Sequence, residues 1–211
     1  MDDTSQNELL APDQARDENW RHTREAYENN PRLLLRNTLQ AFDGSIKTFY
    51  DKALKYVPLK ANILEIGSGD GCGADYLEAL GYTVLRTDPI RNFVRFQKSR
   101  GKKPHQFDVL TQVLAQRFDL VLAPAVFHHF DDEDFEDAAK HVFDMLPSYG
   151  IFSLCGYSGV GARFKRYGNK QRYFCYRTPE MLSDSLKRSG FIVEETYLLD
   201  GTWANCIASK P

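Results

Sequence analysis

The sequence lacks the patterned cysteines of a disulfide framework or a zinc site. Its four cysteines, Cys72, Cys155, Cys175 and Cys206, stand far apart, with no C-x-x-C pair and no cysteine–histidine cluster. That spacing suits free thiols in a reducing compartment. A long apolar run is also missing. FDLVLAPAVF (118–127), the most apolar stretch, falls well short of the roughly 20 residues that span a bilayer as a helix. The opening MDDTSQNELL is acidic and polar, unlike a secretory signal, so the expectation is a cytoplasmic protein with no membrane partner. Excess charge is small: 27 Lys and Arg face 29 Asp and Glu, for a formal net of -2. A polyanion is held by a basic field, so the balance argues against nucleic acid as the partner. What is present is 42% hydrophobic and 13% aromatic residues in 211. That is enough core for one α/β domain with a terminal extension.

Along the chain, residues 1–12 read as a frayed tail and Pro12–Asn30 as a mostly exposed, charged helix. PRLLLRNTLQAF (31–42) reads as a second helix opened by proline, and SIKTFYDKALKYV (45–57) as an amphipathic third that Pro58 closes. From Ala61 the pattern alternates. Strands are expected at 61–66, 82–87, 105–110, 118–124 and 151–157, with helices at 72–80, 91–100, 135–146 and 178–190 between and after them. FIVEETYLL (191–199) and TWANCIAS (202–209), joined by Asp200-Gly201, read as a hairpin. Alternation implies a parallel sheet covered on both faces, and the hairpin adds one antiparallel strand.

The segment EIGSGDGCG (65–73) runs from the first strand into a helix, with Gly67, Gly69 and Gly71 two apart. Bare backbone there permits positive φ and brings main-chain N–H groups and a helix N-terminus toward a ligand. A simple turn is the plainer alternative. The spacing departs from the dinucleotide pattern G-x-G-x-x-G/A, whose third position falls here on Cys72. No G-K-[ST] follows, which excludes a nucleoside triphosphatase. Asp88 ends the second strand, where a carboxylate can accept from both hydroxyls of a ribose; alternatively it serves the turn before Pro89.

These features together resemble a class I S-adenosylmethionine-dependent methyltransferase of the small-molecule type, from Ala61 to Lys210. The resemblance implies a Rossmann-like, doubly wound, seven-stranded α/β sheet, mostly parallel with one antiparallel strand, plus N-terminal helices. The implied division is a tail and helical lid over 1–57 and a methyltransferase domain over 58–211. The implied cofactor is S-adenosylmethionine. Glu65, Gly67 and Gly69 would line its methionine end and Asp88 its ribose, with Ser68 and Gly71 also among the cofactor-binding residues. Asp108 and Val109 would flank the adenine, and Ala123 and Pro124 would lie beneath the sulfonium. Glu65 could equally be a structural partner for backbone amides, and Asp108 a cap on its own loop.

Methyl transfer needs donor and acceptor held in line, with a base where the acceptor carries a proton. His128 and His129, after the fourth strand, are the candidate catalytic residues. The competing expectation is that one is packed and the other exposed. Asp131, Asp132, Glu133 and Asp134 suit the N-terminus of the following helix, so no metal is invoked. The stretch 156–178 holds Arg163, Lys165, Arg166, Lys170, Arg172 and Arg177, interleaved with aromatics and without an acid. Arg163, Arg166, Arg172 and Tyr27 are therefore candidates for binding an anionic small-molecule acceptor, against the plainer reading of a solvated basic loop. Basic residues interleaved with aromatics also suit RNA. However, Ala123-Pro124-Ala125-Val126 departs from the Asn/Asp-Pro-Pro-aromatic motif of enzymes that methylate base amino groups. A cofactor-binding protein without turnover is the third alternative.

Overall fold

The computed structural model describes residues 12–29 and 44–211, so the helix expected over 31–42 lies outside the described residues. Helix α1 spans Pro12–Glu28 and α2 spans Gly44–Ala53, followed by a 3-10 turn at Leu54–Tyr56. Then come β1 (Asn62–Ile66), α3 (Cys72–Ala79), β2 (Thr83–Asp88), α4 (Arg91–Ser99), β3 (His105–Gln106) and β4 (Leu120–Pro124). A 3-10 turn at Phe127–His129 leads into α5 (Asp132–Asp144) and β5 (Ile151–Tyr157). Strands β6 (Gly161–Tyr167) and β7 (Lys170–Tyr176), α6 (Pro179–Arg188), β8 (Ile192–Leu199) and β9 (Trp203–Ser209) complete the chain.

Seven strands form one sheet in the order β3-β2-β1-β4-β5-β9-β8, parallel except for β9, which runs against both β5 and β8. Successive side chains leave a strand on opposite faces, and here both faces are apolar. Ile63, Leu120 and Leu122 pack on one side with Phe49, Tyr50 and Ala53 of α2. Leu64, Ile66, Val121 and Ala123 face the other, against Phe135, Ala138, Ala139 and Val142 of α5 and Leu182 and Leu186 of α6. Chain order reverses between β1 and β4, which opens a crevice at their carboxyl ends.

Four expectations need correction. The third strand shrinks to two residues. After Gln106 the Asp108 carboxylate accepts from Leu110 N at 3.1 Å, and its carbonyl from Thr111 N and Gln112 N, so the chain turns off the sheet edge. Helix α5 begins three residues early, because Asp131 caps it by accepting from Asp134 N at 2.9 Å. Helix α1 is not a mostly exposed rod: Thr23 and Ala26 are buried, and its partner is β7. The basic stretch after β5 is not a loop. It is a separate two-stranded hairpin, β6 paired antiparallel with β7 around Gly168 and Asn169.

Arg86 of β2, 2% exposed, ties the glycine-loop side of the sheet together. It bonds Asp75 at 3.0 Å and Glu78 on α3, and donates to Gln97 Oε1 of α4 at 3.3 Å. Gln97 in turn donates to the Gly69 carbonyl at 2.9 Å. Removing one partner of a buried ionic network leaves the others uncompensated. Arg100 and Lys102 also reach Asp75, which moderates the loss. Arg86→Ala is expected to lower unfolding free energy by about 3 kcal/mol, measured by urea denaturation.

Candidate active site

The loop between β1 and α3 is knitted to the end of β2. Ser68 N donates to the Thr87 carbonyl at 2.8 Å, Thr87 N donates to Ser68 Oγ at 3.0 Å, and Thr87 Oγ1 donates to the Glu65 carbonyl at 2.8 Å. Gly67 has φ +71°, and a Cβ there would lie 2.4 Å from Val126 Cγ2, so only glycine lets β4's exit approach the turn. Gly69, at φ +55°, has open space where its Cβ would be.

Asp88 is brought against this loop. One carboxylate oxygen accepts from Gly69 N and the other from Ile90 N, both at 2.8 Å. The group is 3% exposed, and burial pushes it up to about 7 in spite of those two bonds. Glu65 is 1% exposed. Burial raises it as well; one of its oxygens accepts from Tyr50 of α2, and the other has no hydrogen-bond partner among the described residues. Beyond Asp88 lies a cleft of ≈ 380 Å³ lined by Pro89, Gln106, Phe107, Asp108, Thr111 and Gln112. Helix α1 walls it with Trp20 and Arg24, and Trp20 Nε1 donates to Asp108 Oδ2 at 3.0 Å.

The two histidines are both buried, which corrects the expectation of one exposed ring. Tyr157 N donates to His128 Nδ1 at 3.3 Å. His129 Nδ1 lies 2.7 Å from the Tyr173 carbonyl, an acceptor only, so that nitrogen carries the proton and Nε2 accepts from Tyr27 at 3.0 Å. Burial drives both rings toward neutrality, His128 well below its ordinary value and His129 to about 4. Neutral, each ring has one basic lone pair, and each is already engaged. The pair orients neighbours and offers no free base.

Residues 64–154 match a family described as a methyltransferase domain. The matched segment runs from within β1 to within β5 and holds the glycine turn, Asp88 and both histidines. The fold agrees. The DhpI complex with S-adenosylhomocysteine is 16% identical, with 90% of this chain and 97% of that one aligned and a TM-score of 0.74. The Burkholderia thailandensis 1,6-didemethyltoxoflavin-N1-methyltransferase is also 16% identical, over 96% and 91%, with a TM-score of 0.70. The glycopeptide N-methyltransferase MtfA matches at 16% over 81% and 91%, TM-score 0.66. No curated protein matches the sequence.

S-adenosylmethionine fits what the site presents: an unpartnered buried carboxylate oxygen at Glu65, open room beside Gly69, and a cleft continuing past Asp88. Other residues expected at the cofactor face elsewhere. The Ser68 hydroxyl is spent on the strand junction, while Val109 and Ala123 have their side chains in the core. Gly71 begins α3 at φ +87°. The arginines separate too. Arg172 donates to the Tyr27 hydroxyl at 2.9 Å and Arg163 to that of Tyr176 at 3.2 Å. Arg166, one register step off, is exposed on the opposite hairpin face. Among the described residues no helix is long and apolar enough to cross a membrane, and no group of three or more His, Cys, Asp or Glu could hold a metal ion. Gly69→Ala places a methyl in the open space and strains the backbone by about 1–2 kcal/mol. Affinity for S-adenosylhomocysteine is expected to fall at least about ten-fold by calorimetry, more than the stability loss accounts for.

Proposed function

We propose that this enzyme methylates an oxygen or nitrogen of a small anionic molecule, with α1 closing over the bound cofactor. The observation that carries the reading is the junction of Gly69 and Asp88, a bare turn and a buried carboxylate sharing one hydrogen bond at the switch point of the sheet. Asp88 is assigned to the ribose diol, the Gly67–Gly69 backbone and the orphan Glu65 oxygen to the methionine end, and the Asp108 cleft to the base. When bound, the cofactor supplies an electrophilic methyl group on a sulfonium.

The protein's own task is alignment and exclusion of water. Tyr27 on α1 is positioned between the cofactor side and the hairpin: it donates to His129 and accepts from Arg172. His129, locked in one tautomer by Tyr173, thereby sets where the phenol points. Arg172 and Arg163 lie on the hairpin face turned toward Phe174 and Tyr176 and are assigned to the acceptor. Arg166 is not, given its outward position. Two of the similar structures, by name, methylate 1,6-didemethyltoxoflavin and a glycopeptide, which is the scale of acceptor intended.

The raised Asp88 pKa gives this reading a pH signature. Burial is its main cause, with Glu65 and Glu28 adding repulsion. A diol donates best to the ionised form, so binding strengthens as the carboxylate loses its proton. Affinity for S-adenosylhomocysteine is expected to rise about ten-fold from pH 6 to pH 8, following the ionised fraction. Asp88→Asn is expected to flatten that profile and weaken binding at pH 8. Calorimetry that returns no heat for the unaltered protein, or an unchanged pH profile in the variant, would overturn the assignment. Release of S-adenosylhomocysteine from fractionated metabolites then tests turnover.

A further inference from the structure

The inner face of the β6–β7 hairpin carries Arg163 and Lys165 from one strand and Arg172, Phe174 and Tyr176 from the other, because Lys165 lies opposite Arg172 and Arg163 opposite Phe174. It lies over the carboxyl end of β5 and the amino end of β9, where Tyr157 pairs with Trp203. Those two rings stack at 4.5 Å between centroids and 21°, and His128 stacks on Tyr157 at 5.1 Å and 12°. Tyr157 and Trp203 both remain partly exposed.

Lys165 is held by aromatic faces. Its Nζ lies 5.0 Å from the Tyr157 centroid, 5.1 Å from Phe174 and 5.2 Å from Tyr176, while the Arg163 guanidinium sits 4.8 Å over Tyr176. Neither cation makes an ion pair among the described residues. Two other cations of the same segment do: Lys170 pairs with Glu25 at 3.1 Å and Arg177 with Asp132 at 2.6 Å. Arg177 and Lys170 therefore read as structural, and Arg163 and Lys165 as charge held ready. Although burial raises the Tyr176 phenol, hydrogen bonds and charge from Lys165 and Arg163 outweigh that and bring it below its ordinary value. The two cations thus already favour negative charge at this spot. Aromatic rings that flank a cation suit a flat partner bearing a negative group: the ring replaces water on the π faces and the anion meets the ammonium.

We propose that the methyl acceptor is a planar aromatic anion, its ring laid against Tyr157 and Trp203 and its charge taken by Lys165 with Arg163 beside it. This rests on the cofactor reading above and deepens it, since the face adjoins the end of β4 through His128, one strand from the glycine loop. Lys165 is the specificity residue and Arg163 an accessory one.

The test uses the full chain saturated with S-adenosylhomocysteine and titrated calorimetrically with 2-naphthoate and with its neutral counterpart, 2-naphthamide. The acid is expected to bind at least about ten-fold more tightly than the amide, roughly one well-placed charge contact. Lys165→Met is expected to reduce that preference to under about three-fold, and Lys165→Arg to keep most of it, with S-adenosylhomocysteine binding equal in all three proteins. The proposal is overturned if the loaded protein binds neither compound, binds both equally, or keeps its preference in Lys165→Met. Tighter binding of polyuridylate than of naphthoate, abolished by the same substitution, would overturn it in favour of a nucleic-acid acceptor. Failure of the unaltered protein to bind S-adenosylhomocysteine would strike the cofactor assignment first, which separates the two readings.

Discussion

A carboxylate taken out of water beside two main-chain N–H groups is the constraint on which the site depends. Asp88 pins the glycine turn through Gly69 and the start of α4 through Ile90, so turn, strand end and helix hold one geometry. The cost appears in its titration. Between the ordinary carboxylate value of 3.8 and about 7, the folded protein keeps a proton that the unfolded chain has released. Stability from this group is therefore full at low pH and declines as pH rises through that interval. A ligand that donates hydrogen bonds to the ionised form offsets the decline. Strain of this kind is common where a site is built to meet something not yet present.

Around that point the chain arranges two compartments at the carboxyl edge of the sheet. One runs from the glycine turn past Asp88 to Asp108, and the other lies under the β6–β7 hairpin. Helix α1 touches both. Trp20 reaches Asp108, and Glu28 accepts from Arg91 N at 2.9 Å and Asn92 N at 3.2 Å at the start of α4. Thr23 accepts from Tyr173 N at 2.9 Å, and Tyr27 meets His129 and Arg172. Most of these contacts are polar, and they converge from positions far apart in sequence, so the helix joins the two compartments more than it caps either.

Much of this was legible in the residues. Buried parallel strands leave continuous apolar runs, and NILEI and LVLAP announced β1 and β4. Glycines followed by a helix, with an aspartate ending the next strand, marked the turn and its partner. The rest was hidden for physical reasons. Thr23 is buried because its hydroxyl serves a backbone N–H of a strand 150 positions away, which no local pattern encodes. The β6–β7 hairpin alternates basic and aromatic residues on both faces, so no hydrophobic period of two appears; the turn pair Gly168-Asn169 was the available signal. Two adjacent histidines suggested one inside and one outside, but the 3-10 turn at Phe127–His129 and the hairpin above it enclose both.

Arg86 carries a consequence for how the two compartments respond to dissolved ions. Its guanidinium is shut away from solvent, so mobile counterions cannot reach the contacts through which it and Gln97 shape the glycine turn. The Lys170–Glu25 pair that helps fasten α1 to the hairpin has both side chains 39% exposed. Rising ionic strength therefore weakens one fastening of the helix while leaving the turn's shape untouched, and the glycine-turn end of the crevice is the part insulated from its medium.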